Sequence, residues 1–309
     1  MNNVNSTAML GAGVIGSSWS ALFLAAGKSV TVYDPSPNVE SSVKQYIDKA
    51  WPVLEQLKLT GNGNPDNISF VSSATDAVDG ASFVQENVPE QLSIKHDLFK
   101  LIEPVLLPDA VIASSASGLT LSEMQKGWKN PSRFVLGHPF NPPHLIPLVE
   151  VMGNKKTDND AVSVAETFYQ SVGKVTIRVN REVPGHVANR LQAAVWREAI
   201  HMVATGVATV KDVDTAMWAG PGLRWAVMGP HMLFHLGAGQ GGLAEFCERY
   251  TDSFNRWWDD LGELQLTPEL AGQLVDGIKI ESAGKNAEEL SEQRDAMLAA
   301  ILSATAEHR

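Results

Sequence analysis

Over the first two thirds of the chain, short β-branched runs alternate with longer stretches of helical spacing. The short runs predict strands at Thr7–Leu10, Ser29–Tyr33, Ile68–Val71, Ser82–Gln85, Val111–Ser114, Arg133–Gly137, Leu148–Val151 and Val175–Val179. Between them, Val14–Ala26, Asn38–Leu57 and Ile94–Val105 carry helical periodicity. This alternation predicts a largely parallel sheet with helices on both faces. The rhythm changes at Arg181-Glu182-Val183-Pro184-Gly185. Beyond it helical patterns dominate, at His186–Thr205, Val210–Ala219, Met228–Leu236 and Leu243–Asp259, and no strand is predicted. Pro184 suits the first turn of a helix, where its missing N–H costs nothing. The expected architecture is α/β: a doubly wound sheet domain over residues 1–182, then an all-α domain over residues 183–309.

Composition agrees with two domains. A chain of 309 residues with 44% hydrophobic positions can fill two cores. Lys and Arg number 24 against 35 Asp and Glu, a net charge of −11. That balance argues against nucleic acid or an anionic membrane as partner. No apolar run approaches the roughly 20 residues of a membrane span. The start, Met1 to Thr7, lacks both the secretory and the Arg-rich transit patterns, so a cytoplasmic protein is expected. Cys247 is the one cysteine; it forms no internal disulfide and is expected as a buried thiol. His231 and His235 share a helix face, but no third ligand stands at metal spacing, so no metal site is expected. Gly237 to Gly242 follows a helix rather than a strand and reads as a connection. Trp257 and Trp258 read as core or interface.

Leu10-Gly11-Ala12-Gly13-Val14-Ile15-Gly16 has the spacing G-x-G-x-x-G. A short apolar run precedes it, a helical stretch ending at Gly27 follows, and Asp34 closes the next strand at about 20 residues' distance. Each residue type has a reason. Gly11 permits the tight turn, Gly13 leaves room for a pyrophosphate, and Gly16 lets the helix approach the strand. The N–H groups of Val14 and Ile15 open the helix at its positive end, which faces phosphate. Asp34 can accept hydrogen bonds from ribose hydroxyls and would repel a 2′-phosphate, and Pro35-Ser36 supplies no Arg to offset that. A Rossmann-like domain binding NAD rather than NADP is the expectation.

Four further segments follow in order: Ser114-Ser115-Ala116-Ser117-Gly118-Leu119, Gly137-His138-Pro139-Phe140-Asn141-Pro142-Pro143, Pro147-Leu148-Val149-Glu150-Val151, and Val183-Pro184-Gly185-His186-Val187-Ala188-Asn189-Arg190-Leu191. Together with the glycine loop they resemble the 3-hydroxyacyl-CoA dehydrogenase family over most of the chain, more weakly after about Tyr250. The resemblance implies that Ser117, His138, Glu150 and Asn189 surround the substrate. Their chemistry suits alcohol oxidation. Imidazole is a base near neutral pH, a carboxylate on its other nitrogen fixes the tautomer, and Ser and Asn can hydrogen-bond the reacting oxygen. The segment Val84 to Lys95 matches another part of the family, which implies that Glu90 and Lys95 lie along the cofactor. Lys95 is expected to neutralise phosphate or to shape the nicotinamide pocket through Glu90. The resemblance also implies a homodimer built through the helical domain.

Several segments depart from the acyl-CoA enzymes. Pro139 follows the histidine, and Gly220 to Pro230, Trp51 to Gln56 and Trp196 to Ala199 are distinctive. These resemble the branch containing L-carnitine dehydrogenase, L-gulonate 3-dehydrogenase and lambda-crystallin, which use small 3-hydroxy acids without coenzyme A. Between Asp34 and Ile68, Lys44, Lys49 and Lys58 are interspersed with Glu40, Asp48, Glu55 and Asp66, a weak platform for the phosphates of coenzyme A. Arg224 is expected to clamp a substrate carboxylate, with Trp225 and Phe234 walling the same pocket; aromatic faces would suit a trimethylammonium group. The expected function is NAD-dependent interconversion of an L-3-hydroxy acid and its 3-keto acid, with His138 as base. Its rivals are oxidation of a 3-hydroxyacyl-CoA such as 3-hydroxybutyryl-CoA in fatty-acid metabolism, and a catalytically silent NAD-binding structural protein.

Overall fold

The structure is a computed structural model and describes residues 4–306. Eight strands form one sheet: β1 (Ser6–Leu10), β2 (Ser29–Tyr33), β3 (Ile68–Phe70), β4 (Phe83–Glu86), β5 (Val111–Ser114), β6 (Phe134–Pro139), β7 (Leu148–Met152) and β8 (Val175–Arg178). Their spatial order is β3-β2-β1-β4-β5-β6-β7-β8. All eight predicted strands are present, with ends shifted by a residue or two. Every pairing is parallel except β6 with β7. The return at Phe140–Pro147 is too short for a crossover helix, so β7 runs back along β6. β1 lies between β2 and β4, so the chain reverses its winding there, and the carboxyl ends of β1 and β4 flank a crevice where α/β sheets hold ligands.

The strands β1, β4, β5, β6 and β7 are buried on both faces and read as largely apolar runs. One layer packs Trp19, Phe23, Phe83, Phe168 and Tyr169 against Val30, Val32, Val149 and Val151. The other packs Phe99, Trp128 and Phe134 against Leu10, Val84 and Leu136. The helices Val14–Ala25 and Asn159–Ser171 supply the first layer, and Leu92–Ile102 faces the second. The helix at Asn159–Ser171 was not among those read from the sequence pattern.

The chain divides into two compact units, one ending at Ala188 and the other beginning at Asn189. The division falls beyond the expected boundary at residues 182/183. Residues 183–188 stay with the sheet because the N–H groups of Val187 and Ala188 bond to Glu150 on β7. The second unit is helical, with Ala188–Ala204, Val210–Ala219, Pro221–Trp225, Pro230–Gly237, Gly242–Asp260, Pro268–Glu281 and Ala287–Thr305. No strand occurs in it among the described residues. Thr209, Thr267 and Asn286 cap three of these helices with side-chain oxygens. Phe246, Tyr250 and Phe254 form an inward stripe with Phe234. Cys247 stands off that stripe and is exposed, not buried as expected. No helix of the described residues is long and apolar enough to cross a membrane.

Candidate active site

The glycine loop runs from the end of β1 into the helix Val14–Ala25. Gly11 has φ +83°, and a Cβ there would meet the Asn87 carbonyl carbon at 2.8 Å. A Cβ on Gly16 would sit 2.0 Å from the Gly11 carbonyl oxygen, so helix and loop touch as only glycine allows. A Cβ on Gly13 would meet nothing within 4 Å, so the space over it is open. Gly13 caps the helix without a side-chain hydrogen bond, which leaves the first N–H groups, including those of Val14 and Ile15, for a ligand. Asp34 follows β2; one carboxylate oxygen accepts from the Ala12 N–H at 2.8 Å and the other from the Ser36 N–H at 2.8 Å. The carboxylate thus ties the glycine loop to the end of β2. A cavity of about 610 Å³ opens here, lined by Gly11, Gly13, Asp34, Asn87 and Leu98 among others. A cleft of about 630 Å³ elsewhere, lined by Asn154, Lys156, Arg181 and Glu182 among others, includes neither the glycine loop nor His138. Its size alone does not make it the site.

His138 and Glu150 are register partners across the antiparallel strands β6 and β7. Opposed residues of such a pair project to the same face. The imidazole Nδ1 lies 2.7 Å from a Glu150 carboxylate oxygen, with both side chains buried. The other carboxylate oxygen accepts from the N–H groups of Val187 at 2.9 Å and Ala188 at 3.0 Å. Burial pushes the Glu150 pKa up, but the bonds from His138, Ala188 and Val187 outweigh it and hold the carboxyl below the usual carboxylate range. An ionised Glu150 accepts only, so Nδ1 carries the proton and Nε2 is left as the basic nitrogen. Beyond His138, buried Lys174 donates to the carbonyls of Pro143 and Ile146, at 2.7 Å to the latter, and fixes the return loop. Burial pulls the Lys174 pKa down to about 7.

Ser117 lies in the loop after β5, where Glu90 gathers it. The Ser117 hydroxyl donates to Glu90 at 3.0 Å, and the N–H groups of Ser117 and Gly118 bond to the same carboxylate. Burial raises the Glu90 pKa, yet these bonds outweigh it and the group stays below its ordinary value. Thr120, not Ser117, caps the helix Leu121–Met124 through a reciprocal bond with Glu123.

The structure buries Lys95. Its ammonium is buried and pairs with buried Glu86 at 2.6 Å, with a second bond to the Val88 carbonyl at 3.1 Å. Glu86 also accepts from the Ser114 hydroxyl at 2.6 Å and the Val88 N–H at 2.7 Å, so this set fixes the ends of β4 and β5. Nothing in the sequence pattern had marked Glu86. Its place at the end of a strand beside the glycine loop was the available signal.

Over residues 6–183 the chain matches the family model "3-hydroxyacyl-CoA dehydrogenase, NAD binding domain", and over residues 185–275 the C-terminal domain of the same enzymes. The chain belongs to the 3-hydroxyacyl-CoA dehydrogenase family. It is 45% identical to the L-carnitine dehydrogenase of Streptomyces coelicolor over 303 residues, covering 98% of this chain and 95% of that one. The L-carnitine dehydrogenase of Bacillus cereus is 39% identical, over 97% of this chain and 92% of the relative. Among solved structures, 5-formyl-3-hydroxy-2-methylpyridine 4-carboxylic acid 5-dehydrogenase, described as an NAD⁺-dependent dismutase, superposes with a TM-score of 0.83 at 29% identity, covering 97% of each chain. The chain is therefore an NAD-dependent dehydrogenase. The open space over Gly13 and the cavity beside Asp34 fit that cofactor.

Four members of this dehydrogenase's expected substrate set belong to the helical unit. Asn189 is half-buried at the start of the helical unit, one residue past the Ala188 N–H that holds Glu150. Arg224 and Trp225 end the helix Pro221–Trp225 and are exposed. Phe234 is placed differently from expectation: its ring stacks on Phe246 at 4.8 Å and meets Phe254 at 5.6 Å, inside the helical unit's own aromatic cluster. No group of three or more His, Cys, Asp or Glu among the described residues could hold a metal ion. His235 instead accepts the Leu243 N–H at 3.1 Å. His186 lies with its ring centroid 5.2 Å from that of His138.

Proposed function

We propose that this dehydrogenase interconverts an L-3-hydroxy acid free of coenzyme A and its 3-keto acid, with His138 as general base. The observation that carries the reading is the buried His138–Glu150 pair at 2.7 Å. Glu150 holds Nδ1, fixes the ring and stabilises the imidazolium that forms when Nε2 takes the hydroxyl proton. NAD, when bound, supplies the hydride acceptor. Gly11, Gly13, Gly16 and the N–H groups of Val14 and Ile15 would hold its pyrophosphate, and Asp34 its ribose. Glu90 acts on the site by setting the Ser117 loop. Ser117 and Asn189 hydrogen-bond the reacting oxygen, and groups of that kind contribute about 3 kcal/mol each to the barrier.

A small carboxylic substrate is favoured by the relatives named L-carnitine dehydrogenase and by the sparse cations after β2, where Lys44 is already paired with Glu40 at 2.7 Å. Arg224 clamps the substrate carboxylate, and Trp225 offers its face to a quaternary ammonium. A second copy covers the helical unit, whose Trp218, Trp257 and Trp258 are all more than half exposed.

Turnover of carnitine, gulonate and 3-hydroxybutyrate, followed at the NADH absorbance, is compared with 3-hydroxybutyryl-CoA. Activity on the thioester alone overturns the substrate reading. His138→Asn is expected to lower kcat by about 10³ with NADH binding intact; retained turnover places the base elsewhere. Arg224→Met is expected to raise KM for the free acid about tenfold or more, and an unchanged KM removes the clamp.

A further inference from the structure

His186 sits in the turn between β8 and the helix Ala188–Ala204, and it is 3% exposed. Its backbone has φ +50°, a left-handed conformation uncommon outside glycine and entered by His, Asn and Asp more readily than by other side chains. The imidazole Nε2 lies 3.5 Å from the Ala116 carbonyl oxygen, a long contact that only an Nε2–H can make as donor. Nδ1 is buried and has no partner. The His138 ring is tilted by 57° to it at 5.2 Å.

The titratable groups facing His186 are His138 from β6, Glu150 from β7 and Glu90 from the loop after β4. A second proton would put a charged donor at Nδ1 with no acceptor, beside another imidazole. Burial and the neighbouring His138 outweigh the Ala116 carbonyl and the two carboxylates, and hold the His186 pKa below its usual range. His186 is thus held neutral. The next two residues, Val187 and Ala188, deliver the N–H groups that grip Glu150. A continuous path therefore runs from the Ala116 carbonyl through His186 and its turn to Glu150, and on to His138.

We propose that His186 is a positioning residue: seated between the Ala116 carbonyl and the His138 ring, it locks the turn that presents two N–H donors to Glu150, and so sets the orientation and proton affinity of the His138–Glu150 pair. This rests on the reading of His138 as base. If the turn slackens, Glu150 loses donors to its second oxygen and becomes more basic. The pair then holds its proton to higher pH, and the acid limb of kcat/KM moves upward.

His186→Phe keeps a ring of similar size and removes both nitrogens. It is expected to lower kcat/KM about tenfold and to raise the acid limb by about half a pH unit, with NADH affinity within about twofold of wild type. His186→Asn, which tolerates the left-handed backbone and retains a donor, recovers most of that loss. A His186 that only packs would change protein yield or NADH binding and leave the limb in place. Wild-type kcat/KM and an unmoved limb in His186→Phe overturn the proposal. Should that variant fail to fold, His186→Gly, which accepts the same backbone without a ring, must show the raised limb; an unmoved limb there overturns it equally. His138→Asn is run alongside. If it still turns over, the reading of the base has failed; if it is inactive while the His186 variants behave as wild type, only the His186 inference has failed.

Discussion

The sheet unit and the helical unit bury themselves to very different degrees. Nearly all the buried apolar side chains lie before Asn189; beyond it, among the described residues, only Ile200, Val213 and Ala299 qualify. In the sheet unit, Trp19 is fully buried and stacks on Tyr169 at 5.4 Å. In the helical unit, Trp218 and Trp258 are 65% and 62% exposed. Both regions are rich in aromatic and aliphatic residues, so composition is not the difference. A sheet covered by helices on both faces closes its own core, whereas helices with apolar stripes close only when something lies against each stripe. The closed half carries the paired reacting groups. The open half carries the residues proposed to read the substrate.

The comparison can be broken by three measurements. Trp19→Ala removes a side chain from a closed core and is expected to cost about 3–5 kcal/mol in denaturant unfolding; a loss below about 1 kcal/mol would mean the sheet unit is not the self-sufficient half. Trp257 and Trp258 changed together to Ser are expected to convert a dimer to monomers at micromolar concentration, read as mass by light scattering, with about 2 kcal/mol or more lost from association. A wild-type chain that runs as a monomer would show that the bare helices need no second copy. The smallest effect is expected from Glu150→Gln. The folded-state pKa of Glu150 lies below its ordinary 4.5, so its charge stabilises the fold above that value, and the contribution is lost as pH falls through the folded pKa. Below pH 4.5 the wild type therefore loses stability more steeply than the Gln variant, and parallel acid-unfolding curves would contradict the assignment.

Much of the site was legible because its signals are local. The glycine spacing, the following helix and Asp34 form one strand–helix–strand unit, and each glycine has a steric reason visible along the chain. The central strands were legible for a similar reason: burial on both faces leaves plain apolar runs. Other features were not. Lys95 reads as a cation along the cofactor, and the residue pattern does not show its burial against Glu86. Cys247 reads as core by residue type, yet it faces away from the stripe of Phe246, Tyr250 and Phe254. His186 follows Pro184-Gly185 with nothing in the residue pattern to set it apart, because neither its left-handed backbone nor its distance to His138 has a counterpart there.

By itself the sequence determined the order of strands and helices, the phosphate-binding turn, the acid that closes β2 and the residue types able to take a proton. Those properties depend on neighbours along the chain: side-chain period, allowed φ, and spacing. Only the tertiary structure decided that β7 runs back beside β6, which sets Glu150 opposite His138, and that the turn at 186–188 folds down to hold the carboxylate. Contacts between residues far apart in sequence come from sheet register and from the pairing of buried polar groups, and both are settled when the sheet assembles.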